Sequence, residues 1–307
     1  MNKLGLSAGQ YAATVTSVGA TPRELRHREA PIVLGFDADD LPGSARGQLL
    51  APWPNRLPHG AWTWKGRALQ LPVDEPHRGD AANHGLLRWC EWTVVECEAA
   101  SAVLEHLLPP TPGYPFAVRF VVRYAVEADR GLVSRLRAVN QSAEPAPVAL
   151  GTHPYLRPLG GGRIEVADLR IPAAGRLLVD GDGTPAGVEA VAGTPHDFRS
   201  ARRLGDLAIN DAFCDLIPNS DGVVRSELTD GTGVVALECG SSARWLQVYT
   251  ADGVQAPDTR CAVAVEPMTA PPAALATGDG LAVLDPGEAL DLEWCISATG
   301  FGAGRAR

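Results

Sequence analysis

No uninterrupted apolar tract in this 307-residue chain is long enough to cross a bilayer, so no membrane partnership is expected. No run of lysine and arginine offsets the formal net charge of -9, which argues against generic phosphate-backbone binding; nucleic acid is not an expected partner. No glycine-rich loop follows a strand-like segment, and no long stretch of helical period alternates with strands. A doubly wound nucleotide-binding architecture therefore has little support. The six cysteines are dispersed and most sit among apolar neighbours, which reads as reduced structural thiols rather than disulfides or a metal centre. The opening Met1-Asn2-Lys3-Leu4-Gly5 lacks the apolar core of a signal peptide, and cytoplasmic residence is the expectation.

Turn chemistry and short apolar segments are what the chain does contain. The 33 glycines and 25 prolines fall in separate turns without a collagen period, and 45% hydrophobic residues are ample for a globular core. From Phe116 to Glu127 the residues Phe116, Val118, Phe120, Val122, Tyr124 and Val126 share one face against Arg119 and Arg123, the two-residue period of a half-buried strand. Asp129-Arg130-Gly131 supplies a turn, and Leu132, Leu136 and Ala138 resume the even spacing, so a hairpin is expected. Val234 to Cys239, Trp245 to Tyr249, Cys261 to Glu266 and Leu290 to Ser297 read the same way, separated by Asp-Gly and Pro-Gly turns. The expected fold is mainly β, with stacked antiparallel sheets. The length admits one large domain or two smaller ones. With no repeat and no linker, a single domain over residues 1–307 is favoured, with a flexible C-terminal tail at 300–307.

Several polar residues stand where apolar segments meet tight turns. Pro52-Trp53-Pro54-Asn55-Arg56 joins an aromatic surface to a five-donor guanidinium, a combination suited to a polyol; a structural loop tied by Arg56 is the plain alternative. His84, in Asn83-His84-Gly85, either projects towards a substrate or satisfies loop hydrogen bonds. His153 follows the segment Val148 to Thr152, where a rigid backbone suits a proton donor; otherwise it pins the loop. Glu266 ends another apolar segment before Pro267, either as a general base or as a carboxylate satisfied by Arg56 or backbone donors. Asp211 in Asn210-Asp211-Ala212-Phe213 suits binding of two hydroxyl groups, or a turn. Among the tryptophans, Trp53 has the best local claim to ligand contact, while Trp245 and Trp294 read as core. His84, His153, Asp211 and Glu266 include possible metal ligands, but their spacing matches no short zinc motif, and no metal is expected.

Taken in order, Pro52-Trp53-Pro54-Asn55-Arg56, Asn83-His84-Gly85, Thr152-His153-Pro154-Tyr155, Asn210-Asp211-Ala212-Phe213 and Val265-Glu266-Pro267-Met268 resemble the aldose 1-epimerase, or galactose mutarotase-like, family over nearly the whole chain. The resemblance implies a large antiparallel β-sandwich without a required cofactor. It also implies reversible interconversion of the α and β anomers of an aldose or modified hexose through acid/base opening of the hemiacetal. His153 becomes the general acid and Glu266 the general base, with Arg56, His84, Asp211, Asn55 and Trp53 as substrate-binding residues. A carbohydrate-binding or metabolite-sensing protein that does not turn its ligand over is the rival expectation. A monomer could supply every group, and a weak dimer is compatible. Met268-Thr269-Ala270-Pro271-Pro272 and Asn83-His84-Gly85-Leu86 depart from the family's usual patterns, which bears on the preferred sugar.

Overall fold

The computed structural model describes residues 2–37, 39–75 and 80–300, and its regular elements are almost all strands. Two large sheets organise it. In the first, nine strands run in the spatial order Thr93–Cys97, Ser101–Leu108, Val118–Glu127, Gly131–Asn140, Ala289–Gly300, Gly233–Cys239, Val224–Thr229, Asp168–Arg170 and Arg202–Arg203. The second runs Pro185–Ala190, Ala173–Val179, Asn210–Leu216, Trp245–Tyr249, Val263–Met268, Gly151–Thr152 and Leu49–Leu50, with Tyr155–Leu156 also pairing on Val263–Met268. Pairing is antiparallel throughout both sheets. Among the described residues no helix is long and apolar enough to cross a membrane.

The expected hairpin is present, with Val122 opposite Leu136 and Glu127 opposite Gly131. Gly131 has φ +80°, and a Cβ there would stand 2.2 Å from the Ile296 carbonyl oxygen, so the turn needs glycine. The alternating apolar residues of this hairpin join Leu292, Trp294 and Ile296 from one sheet with Leu246, Val248 and Val265 from the other in a shared core. Each such side chain removed from water contributes about 1.5–3 kcal/mol, which is what holds the sheets face to face. Trp294 is core as expected. Trp245 is only partly buried, with the Arg244 guanidinium 4.9 Å from its ring. All six cysteines are free; Cys97 is exposed, and Cys214, Cys239 and Cys295 are buried. Of the expected tail, only Gly300 lies within the described residues, and it ends a strand.

The period of two decides which residues of the second sheet face away from this core. Val248 and Val265 point into it, so Gln247 and Glu266, paired with each other across neighbouring strands, point outward together. Ala212 pairs with Gln247, and Asn210 with Tyr249, so those residues share the outward face.

Candidate active site

A cavity of ≈420 Å³ opens on that outward face, and its walls come from segments far apart in sequence. The Pro52–Arg56 and Asn83–Gly85 loops meet because Arg56 and Asn83 pair as short antiparallel strands. Asn55 and His84 both take left-handed φ, 57° and 61°, and the His84 N–H donates to the Asn55 carbonyl at 3.0 Å. Gly85 passes so close to Ala51 that a Cβ would lie 2.1 Å from its carbonyl oxygen. Any side chain there would therefore push the histidine loop outward. His153 is fixed by its N–H donating to the Gln48 carbonyl at 3.0 Å and by its own carbonyl accepting from Gly47 N–H at 2.9 Å. Glu266 stands in mid-strand, and the Val265 N–H donates to the Pro154 carbonyl at 3.1 Å, which draws the glutamate strand against the His153 loop.

These constraints bring His84, His153 and Glu266 together on the cavity floor. His153 Nε2 is 3.1 Å from Glu266 Oε1, and the two imidazole rings meet edge to face at 5.3 Å. Tyr155 stacks on the His153 ring at 4.9 Å. One donor atom from each of His84, His153 and Glu266 can be chosen so that all lie within 4.8 Å of one another, a composition that could also hold a metal ion. Asp211, the fourth candidate ligand, is not part of the group.

Burial dominates the electrostatics of the trio. It pushes the His153 imidazole down to about 3, with the positive charges of Arg88 and Arg56 acting in the same direction. His84 is lowered well below the ordinary histidine value by burial, then by His153, Arg88 and Arg56. The Glu266 carboxyl is raised well above the usual carboxylate range by burial, against a smaller opposing pull from Arg56. Without a ligand the floor thus favours neutral imidazoles beside a carboxyl group that keeps its proton. Asn83 Oδ1, His153 Nδ1 and Glu266 Oε2 are buried without a hydrogen-bond partner, a cost of about 1–3 kcal/mol each that a polar ligand can relieve where it reaches them.

The walls are polar and mostly engaged. Asn55 Nδ2 donates to Gln247 Oε1 at 3.1 Å, and Gln247 Nε2 donates to Asn210 Oδ1 at 2.9 Å, forming a chain of amides along one side. Arg56 Nε donates to Glu75 Oε2 at 2.7 Å, and Arg88 donates to Asp74 Oδ2 at 2.5 Å and to the Asn83 carbonyl at 3.0 Å. Both cavity guanidinium groups therefore already face a carboxylate.

Two expected binding residues are corrected. Trp53 does not line the cavity: it is 3% exposed in the apolar core, with its Nε1 donating to the Ala82 carbonyl at 3.3 Å. The tryptophan that does line it is Trp89, 52% exposed. Asp211 lies on the opposite face of its strand from Asn210, accepts from Arg176 at 2.8 Å and has His196 Nε2 at 3.6 Å. Its neighbour Asn210 is the cavity residue. Phe213 shares the face of Asp211 and lies in the core. Gln247, Asn210, Asn83, Tyr155 and Tyr249 also line the cavity without having been singled out. The pairing of Gln247 with Glu266 was the signal for the first, and it appears only once strands are set in register.

A family model described as aldose 1-epimerase matches residues 3–296. The uncharacterized protein YihR of Escherichia coli (strain K12) is 31% identical over 285 residues, which is 93% of this chain and 89% of that protein. Among solved structures, a GalM/aldose epimerase homologue from C. elegans superposes with a TM-score of 0.84 at 20% identity, covering 98% of this chain and 99% of that one. A putative aldose 1-epimerase from Escherichia coli K12 gives 0.82 at 20% identity, with 98% and 99% covered. A galactose 1-epimerase from Lactobacillus acidophilus NCFM gives 0.81 at 21% identity, with 96% and 92% covered.

Proposed function

Since this chain belongs to the aldose 1-epimerase family, a group of sugar epimerase and mutarotase-like enzymes, we propose that it interconverts the α and β anomers of an aldose by opening and reclosing the hemiacetal. The observation that carries this reading is the 3.1 Å approach of His153 Nε2 to Glu266 Oε1 on the floor of a cavity large enough for a hexose.

In the proposed reaction the Glu266 carboxylate takes the proton of the anomeric hydroxyl, while the His153 imidazolium gives its Nε2 proton to the ring oxygen. The bond between the anomeric carbon and the ring oxygen breaks with its electron pair left on the ring oxygen, and the former hydroxyl becomes the aldehyde carbonyl. Rotation about the adjoining carbon–carbon bond presents the other face, and the same transfers in reverse close the ring. The pair holds one proton throughout. It starts as carboxylate and imidazolium and ends as carboxylic acid and neutral imidazole. Burial favours the second arrangement, which belongs to the open-chain sugar; oxygen atoms of the bound ring favour the first. The environment thus narrows the gap between the two proton arrangements, as reversible transfer requires.

Arg56 and His84 are assigned to steady the sugar oxygens, and the Asn55–Gln247–Asn210 chain to hold distal hydroxyls, so that donors and acceptors are already aimed before charge moves. Trp89 offers an apolar face at the rim. The test is anomer-resolved NMR or polarimetry with a panel of aldoses, some charged at the carbon farthest from the anomeric centre, with uncatalysed relaxation subtracted. Acceleration of at least one aldose is expected. Binding without acceleration would turn the assignment into a sugar sensor, and neither binding nor acceleration would remove it.

A further inference from the structure

The Asn55 peptide N–H donates to His84 Nδ1 at 3.1 Å, both groups being buried. A peptide N–H has no lone pair and can only donate, so Nδ1 must offer its own lone pair and the ring proton must sit on Nε2. We infer that the Asn55 backbone sets the tautomer of His84. That makes His84 a hydrogen-bond donor to the sugar through Nε2–H and closes the His84, His153, Glu266 trio to divalent transition metals.

The hydrogen bond is hard to escape. The reciprocal His84 N–H to Asn55 carbonyl bond, at 3.0 Å, closes a two-residue clamp. The Arg56 N–H donates to Asn55 Oδ1 at 2.8 Å, holding the next peptide, the one that carries the Asn55 carbonyl. Gly85 packs against Ala51 with no room to shift inward.

The trio has the composition of a two-histidine, one-carboxylate metal site. A ligating imidazole, however, gives its lone pair to the ion and directs its other N–H at an acceptor. If His84 Nε2 bound a metal, Nδ1–H would confront the Asn55 N–H, two donors at 3.1 Å with nothing to receive either proton. If Nδ1 bound it, the ion would have to displace that same N–H. Only His153 and Glu266 are left, too few to hold zinc without a third protein ligand. A buried cluster of bare proton-transfer groups is thereby protected from adventitious metal.

The donor role rests on the proposed sugar chemistry, whereas the tautomer does not. The first measurement is therefore long-range proton–nitrogen correlation NMR of the full chain labelled with nitrogen-15 histidine, with the His84 signals assigned by their loss in His84→Gln. An unprotonated Nδ1 and a protonated Nε2 are expected, unchanged by one equivalent of zinc chloride. Asn55→Gly keeps both the peptide N–H and the positive φ, so it should retain this signature even though the Asn55–Gln247 link is lost. A proton on Nδ1, or zinc-dependent shifts at one equivalent, would overturn the inference. In the anomer-exchange assay His84→Gln, which keeps an N–H donor near Nε2, should lose about 10-fold in rate, against about 10²–10³-fold for His84→Ala. Equal losses in two variants that both fold would overturn the donor role. Absence of turnover in the unmodified protein would remove the sugar reading while leaving the tautomer measurement intact.

Discussion

Glu266 is 2% exposed and keeps one oxygen without a hydrogen-bond partner, a costly position for a carboxyl group and one that suits the proposed role as general base. Glu266→Gln is accordingly expected to lower turnover about 10²–10⁴-fold. It should also stabilise the fold, and the sign follows from the raised carboxyl. Below the ordinary glutamate value of about 4.3 both folded and unfolded states are protonated and no penalty exists. Above it the unfolded chain releases the proton while the folded one resists, so unmodified protein loses stability as pH rises and the glutamine variant does not. Unfolding temperatures of the two proteins should therefore diverge as pH rises; curves that stay parallel would show that Glu266 is ionised at no cost. The lowered imidazoles make a second prediction. The rate at limiting substrate should show no inflection near pH 6.5, the ordinary histidine value, because burial favours the neutral forms of His84 and His153 in the free enzyme. An inflection at that pH, assigned to His153 by NMR titration, would contradict the burial argument. At this scale the sequence was informative about His84, His153, Glu266, Arg56 and Asn55, which all meet at the cavity. It misled at Trp53 and Asp211. An aromatic residue beside prolines suits a core as well as a pocket, and a strand with apolar and polar residues mixed on both faces does not say which face meets solvent.

The segments that carry the site are held by backbone contacts rather than by side-chain packing alone, and this separates the effects of two glycines. Gly85→Ala would place a Cβ 2.1 Å from the Ala51 carbonyl oxygen and displace His84. Gly131→Ala would place one 2.2 Å from the Ile296 carbonyl oxygen, in a hairpin of the other large sheet. Both should destabilise by about 1–3 kcal/mol, but only Gly85→Ala should depress catalysis in the fraction that remains folded. Equal kinetic damage from both, measured well below the unfolding temperature, would refute the placement of the histidine loop. Long alternating strands were the elements most legible beforehand: Val118–Glu127 and Gly131–Asn140 follow the expected period closely. The strand read from Cys261 to Glu266 instead spans Val263–Met268, because pairing with Trp245–Tyr249 carries it through Pro267. Two-residue strands such as Arg56–Leu57 and Ala82–Asn83 are too short for periodicity to reveal, yet they bring two site motifs together.

One apolar cluster runs from Leu6 to Ala298 and joins both large sheets, so the outward face that bears the cavity is braced from behind by the core. Leu292 lies in the strand between Gly131–Asn140 and Gly233–Cys239 and is fully buried. Leu292→Ala should cost about 2–5 kcal/mol of stability while leaving KM unchanged below the unfolding transition; a raised KM would mean that the core and the cavity are coupled more closely than this packing indicates. Antiparallel layering was readable from alternating segments and turns, whereas the order of strands was not, because some partners lie more than half the chain apart, as Arg135 and Glu293 do. The account as a whole depends on His153 and Glu266 acting on one sugar as a single proton-exchanging pair. Its most direct test is a double-mutant cycle of His153→Ala and Glu266→Gln, read as anomer-exchange rate by NMR on folded proteins. Each single change should remove nearly all acceleration and the double change should cost little more than either alone; losses that multiply, or rates that survive either change, would contradict it.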